Sequence, residues 1–102
     1  MSYDIVKIYQ GKLEHEEQDL TLVELCEICD LQPQLIIELV DEGFLEPDGE
    51  SKVTWRFSFE VVEKVRKVDR LQRDLELNIA GAILVSQLLH RIEKLESKFG
   101  IQ

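Results

Sequence analysis

The apolar positions of this chain change period along its length, and each change marks an element. Residues 3–9 alternate loosely and are rich in β-branched and aromatic side chains, which predicts a strand. Residues 10–19 (QGKLEHEEQD) are polar and acidic and predict a turn or loop. The spacing then becomes helical: Leu22, Leu25, Cys26 and Cys29 share one face, and Thr21 with Glu24 has the spacing of a capping box. Asp30, Leu31 and Gln32 read as a turn. Pro33 suits the first position of a second helix, where its missing N–H costs nothing, and Ile36, Leu39 and Val40 point inward. That helix runs to about Glu42, and Gly43 is placed to end it in the left-handed conformation.

Beyond Gly43, Phe44-Leu45 and residues 53–57 flank Pro47-Asp48-Gly49-Glu50, the pattern of a hairpin with Val53, Trp55 and Phe57 on one side. Ser58 is placed to cap a third helix, whose inner stripe is Val61, Val62, Val65, Val68, Leu71 and Leu75. Its outer face carries Lys64, Arg66, Lys67, Arg70 and Arg73. Asn78 is placed to cap a fourth helix from residue 79 to about residue 99. There Val85, Leu88, Ile92, Leu95 and Phe99 recur in alternating steps of three and four, as in a coiled-coil seam. Ala80, Ile83, Leu84 and Leu89 widen the apolar surface. A short domain cannot easily bury both faces of such a helix, so a homodimer through this seam is expected. The expected fold is mainly α and a single domain over residues 1–102. It has an N-terminal strand and acidic loop at 1–19, a winged helix-turn-helix with a small β-wing at 20–57, and two helices, the last one long, at 58–102.

Charge changes what that layout can do. Through Phe57 there are fourteen acidic and four basic residues, net −10; from Ser58 onward there are seven and eight, net +1, which together give the chain its −9. Nucleic-acid binding depends on neutralising phosphates with Lys and Arg. A reading helix needs cations where this second helix offers Gln34, Leu35, Ile37 and Glu38. The acidic half repels DNA and favours a basic partner. Its 44% hydrophobic content supports a packed core. No run of about 18 apolar residues is present to span a membrane, and Met1-Ser2-Tyr3-Asp4 does not start a secretory signal. With only two cysteines, a reducing cytoplasm is the expected compartment.

Candidate chemistry is sparse. Cys26-Glu27-Ile28-Cys29 is formally CxxC, but a zinc site needs four ligands and only His15 and His90 remain to complete one. The motif also lacks the strand and βαβ setting of a thioredoxin site. Both cysteines read as small core hydrophobes. His15 lies among Glu14, Glu16 and Glu17, and His90 beside Arg91, neither with a nucleophile at a workable spacing. The acidic stretch lacks the ligand spacing of a calcium loop. No phosphate-cradling loop, nucleophile elbow or metalloprotease motif occurs. Catalytic, metal and cofactor sites are therefore expected to be absent. Trp55 reads as an anchor of the hairpin, and the basic face of the third helix reads as solvated.

Residues 22–45 resemble the winged helix of MerR-type regulators, with Glu42-Gly43-Phe44-Leu45-Glu46-Pro47 standing where that family has Gly-Leu-Leu-x-Pro. On that pattern Gln34 and Ile37 occupy positions usually basic, and Glu38 replaces a phosphate-contacting tyrosine. Residues 20–96 are more closely similar to the chaperone-modulator family CbpM, itself MerR-like. That likeness rests on Glu46-Pro47, on Thr54-Trp55 with Phe57, and on Arg70-Leu71-x-x-Asp74-Leu75-x-Leu77-Asn78-x-x-Gly81. Residues 3–19 are longer than the family leads one to expect. The resemblance implies a protein that binds the J domain of a DnaJ-like co-chaperone of the CbpA type, and inhibits its work with Hsp70. J domains carry a basic helix, so an acidic module can mask it without chemistry. Leu35, Ile37, Glu38, Asp41 and Glu42, on the outward face of the second helix, are the candidate contacts: apolar anchors among acids. Two alternatives stand beside this reading, a dimeric MerR-like DNA-binding regulator and a structural module that pairs with another winged-helix protein.

Overall fold

The computed structural model describes residues 19–100. The expected strand at residues 3–9 and most of the acidic stretch after it, including His15, lie outside these residues. The chain divides into two compact units, Met1–Arg66 and Lys67–Gln102, and each has its own logic.

The first unit is built on two short helices, α1 (Leu22–Cys29) and α2 (Pro33–Asp41), that pack on each other. The capping box at the start of α1 forms as expected: the Thr21 hydroxyl accepts from the Glu24 N–H at 3.1 Å, and the Thr21 N–H donates to Glu24 Oε1 at 2.9 Å. Asp30 ends the helix with φ 59°, a conformation that aspartate tolerates better than most residues. Leu25, Cys26 and Ile28 are the buried residues of α1, while Leu22 and Cys29 are only half-buried. Ile28, absent from the expected face, thus contributes more than Leu22. Gln32 is extended, Pro33 begins α2, and Ile36 and Leu39 are fully buried. The helix closes as a Schellman motif: Gly43, at φ 81°, donates to Val40 O at 2.9 Å, and Phe44 donates to Leu39 O at 2.9 Å. Leu45 then drops into the core.

The expected wing is reduced to isolated pairings. Asp48 and Arg56 exchange backbone hydrogen bonds at 3.0 and 2.8 Å, and Leu20 and Phe57 do the same at 2.6 and 2.7 Å. Among the described residues there is no strand beyond these bridges. The reason is local. Ser51 O accepts from both Thr54 N and Trp55 N at 2.9 Å, and the Thr54 hydroxyl takes the Ser51 N–H at 3.1 Å. Side-chain and turn bonds of this kind compete with a ladder for the same backbone groups. The turn falls at residues 51–54 rather than 47–50, and it breaks the alternation: Val53 is 86% exposed, whereas Phe57 is 2% exposed and meets Trp55 edge-on at 6.0 Å. Gly49 is required here. Its φ is 105°, and a Cβ would sit 2.4 Å from Thr54 O.

A third helix, α3 (Val61–Leu75), begins through the Ser58 and Phe59 carbonyls, which accept from Val61 and Val62. It starts later than a cap at Ser58 predicts. Val62 and Val65 are buried in its first-unit portion. Arg66 Nη2 donates to Ile28 O at 3.0 Å, closing the C-terminal end of α1.

In the second unit α3 continues with Val68 buried and Leu71 half-buried, but Leu75, expected inside, is 56% exposed. Glu76 at φ 53° ends the helix. Asn78 caps α4 (Ile79–Lys98), accepting from the Gly81 N–H at 2.7 Å, and Lys67 pairs with Glu93 at 3.7 Å. At 100° per residue, α4 presents two apolar faces on opposite sides. One is short and buried, made by Ala82, Ile83 and Ser86. The other runs the length of the helix through Leu84, Leu88, Ile92, Leu95 and Phe99, all exposed.

Candidate functional site

The outward face of α2 carries Gln34, Glu38, Asp41 and Glu42 exposed, with Leu35 and Ile37 half-buried on its two opposite flanks. The five expected contact residues therefore lie on one short helix and in the C-cap that follows it, as carboxylates with one apolar side chain on either flank. The rigid frame beneath them is the buried pair Ile36 and Leu39, fixed by the Schellman closure at Gly43. Neither α1 nor α2 has a basic residue in its last turn.

Three described cations of the first unit contact the fold itself. Lys64 sits 4.7 Å from the Phe44 ring centroid and donates to Phe44 O at 3.4 Å. Arg66 is held by Ile28 O, and Arg56 Nη1 donates to Trp55 O at 2.7 Å. In the second unit Lys67 pairs with Glu93, and Arg73 meets Asp69 at 3.0 Å. The third helix thus does not offer the uniform solvated basic face that its sequence suggests: Arg66 and Lys67 are half-buried, and four of the five residues are engaged.

A feature that periodicity did not reveal is a cleft of about 340 Å³ along α1, the turn and the start of α2. Leu22, Cys26 and Leu31 form its apolar depth, and Glu27 and Asp30 stand exposed at its edge. Val23, also lining it, is 66% exposed. The lone apolar residue at position 23, off the core stripe of α1, was the available sequence signal.

The cysteines are both thiols. Burial, reinforced by the neighbouring Glu27 carboxylate, pushes the Cys26 thiol above its ordinary value, which disfavours the thiolate. Among the described residues no group of three or more His, Cys, Asp or Glu is placed to hold a metal ion, and no helix is long and apolar enough to cross a membrane. On α4, Leu88, Ile92, Leu95 and Phe99 of the expected seam are exposed, while Val85 is half-buried and Leu84 takes the outer position.

Comparison with known proteins adds lineage to this geometry. The sequence model described as MerR HTH family regulatory protein matches residues 20–100. The chaperone modulatory protein CbpM of Coxiella burnetii (strain Dugway 5J108-111) is 30% identical over 92 residues, covering 90% of this chain and 87% of that protein. The protein of the same name from Pseudomonas putida (strain GB-1) is 31% identical over 74 residues, 72% of this chain and 73% of its own. No solved structure gives a significant match.

Proposed function

Because the chain belongs to the family of chaperone modulatory proteins CbpM and carries the MerR-type helix-turn-helix, we propose that it is a non-enzymatic cytoplasmic modulator that binds the J domain of a DnaJ-like, CbpA-type co-chaperone and inhibits it. The observation that carries this reading is the surface of α2, where Leu35 and Ile37 flank Glu38, Asp41 and Glu42. Such a face suits a basic, amphipathic partner: apolar anchors give contact area and the surrounding acids steer the approach. Inhibition is competitive masking of the basic surface that the co-chaperone presents to Hsp70. The outer face of α4 makes the active species a homodimer.

One finding favours a second reading. The matched family is one of regulators, which fits a dimeric DNA-binding protein. Against it stand the acidic α2, which offers no cation where a reading helix needs one, and the hydrogen bonds that Lys64, Arg66 and Arg56 donate within the fold. Titration calorimetry of the chain against a purified J domain, with Hsp70 as competitor and a gel shift on DNA alongside, separates the two. The proposal expects saturable heat, displacement by Hsp70 and no sequence-dependent shift. An absence of heat with the cognate J domain, or specific DNA binding at physiological salt, overturns it.

A further inference from the structure

We propose that the cleft between α1 and the start of α2 is a receptor for a long cationic side chain, Lys or Arg, projecting from a basic amphipathic helix of the partner. This rests on the reading that the chain binds a basic protein surface, and it adds a second contact beside the α2 face. Three observations converge on it. The depth of the cleft is apolar, formed by Leu22, Cys26 and Leu31, and Val23 extends that surface outward at 66% exposure. Its edge carries the Glu27 and Asp30 carboxylates, both exposed. It runs the length of α1, and its Glu27–Asp30 end lies at the helix C-terminus, where the dipole favours positive charge, yet α1 has no basic residue in its last turn. Arg66 is engaged with the Ile28 carbonyl. Lys and Arg side chains lay their methylenes on apolar surface and hold the charged head at a polar rim, so their shape and charge match this cleft. A neutral apolar side chain would leave the two carboxylates facing desolvation without a counter-charge, and a phosphate would be repelled by them. From Asp19 to Arg66 twelve acidic residues outnumber four basic ones, so the surroundings reinforce the same preference.

The test uses Val23→Arg, which puts a like charge in the mouth of the cleft, and Glu27→Lys, which reverses its edge. Arg is a better helix former than Val, which offsets the dipole cost of a cation at the second position of α1, and in Glu27→Lys the cation lies near the C-terminus and suits the dipole, so both variants should unfold close to the wild-type temperature. Each is titrated, as the full-length chain, against the purified J domain of a CbpA-type co-chaperone at two salt concentrations. The expected result is binding weakened about tenfold or more in each variant, with the salt dependence reduced in Glu27→Lys. Wild-type binding that survives both substitutions unchanged overturns the cleft and leaves the proposed function standing. Absence of binding by the wild-type chain overturns both. Substitutions that alter self-association while sparing J-domain affinity also overturn the inference, since they assign the cleft to a second copy of the chain.

Discussion

If the chain pairs through the outer face of α4 as proposed, Ile92→Lys should dissolve that dimer while leaving the single chain folded. Leu88, Ile92 and Leu95 are 51%, 49% and 49% exposed, Leu84 is 56% and Phe99 is 70%. Full burial of such side chains is worth ~1.5–3 kcal/mol, so covering what remains open gains about 1 kcal/mol apiece. Five residues on each of two protomers supply roughly 10 kcal/mol gross. Association costs at least ~4 kcal/mol. The remaining ~6 kcal/mol corresponds to a Kd of tens of micromolar. Ile92→Lys removes about 1 kcal/mol from each protomer and sets an ammonium group against an apolar face, a total penalty of ~3 kcal/mol or more. The Kd should then rise at least about a hundredfold, into the millimolar range. Because Ile92 is half exposed in the single chain, circular dichroism should show its helices intact. Sedimentation velocity across that concentration range is the measurement. A wild-type monomer at tens of micromolar (the weak-dimer range of affinity arithmetic), or an Ile92→Lys chain that sediments as the wild type does, refutes the reasoning.

Other expectations follow from single contacts. Glu38→Lys should slow association with the J domain and flatten its dependence on salt, and Ile37→Asp should speed dissociation; unchanged kinetics in both would exclude the α2 face while leaving the partner in place. Arg66→Met keeps the aliphatic stem but deletes the hydrogen bond to Ile28 O, and should lower unfolding stability by ~1–2 kcal/mol, less than a fully buried charged bond because the residue is half-buried. Gly49→Ala should destabilise more than Gly43→Ala: both sit at positive φ, but only at Gly49 does the added Cβ collide with backbone. Chemical denaturation ranks all three. Cys26 should react with a disulfide reagent far more slowly than a free thiol. Its folded pKa is raised, so the unfolded chain gives up the proton first, and stability present below the unfolded thiol value is lost as pH rises through the folded one. Wild type should therefore lose more stability than Cys26→Ala as pH rises above the unfolded thiol value of about 8.5; parallel curves would contradict the assignment.

Residues whose cues are local were legible in the sequence. Thr21 with Glu24, Pro33, Gly43 and Asn78 each solve a problem of helix ends within four residues, and each does so in the structure. The wing was misplaced because Pro47-Asp48-Gly49-Glu50 and Ser51-Lys52-Val53-Thr54 both carry turn chemistry, and only the hydroxyl bonds of Ser51 and Thr54 decide between them. Alternation therefore placed Val53 beside Phe57, although one lies in solvent and the other in the core. The contact candidates on α2 were visible as a charge inversion. The cleft was not, because it arises from the angle at which α1 turns into α2, a quantity that no spacing encodes.

The placement of the charged residues bears on which partner this helix-turn-helix takes. Losing arginines from the second helix removes phosphate contacts, but residual cations elsewhere would still hold DNA weakly. Here three of them do work inside the fold: Arg66 closes the end of α1, Lys64 covers the Phe44 ring after α2, and Arg56 folds onto the Trp55 carbonyl. Each satisfies a group just beyond a helix end or in the reduced wing, where caps and strand pairing would otherwise serve. The carboxylates, by contrast, remain outward on α1 and α2, where Glu27, Asp30, Glu38, Asp41 and Glu42 are all exposed. Acids that outnumber bases on the first unit leave a negative field on the surface that a DNA reader would make positive. The proposed partner is basic for this reason, and a helix suits it, because a helix can present a cation to the cleft and an apolar side chain to one flank of α2.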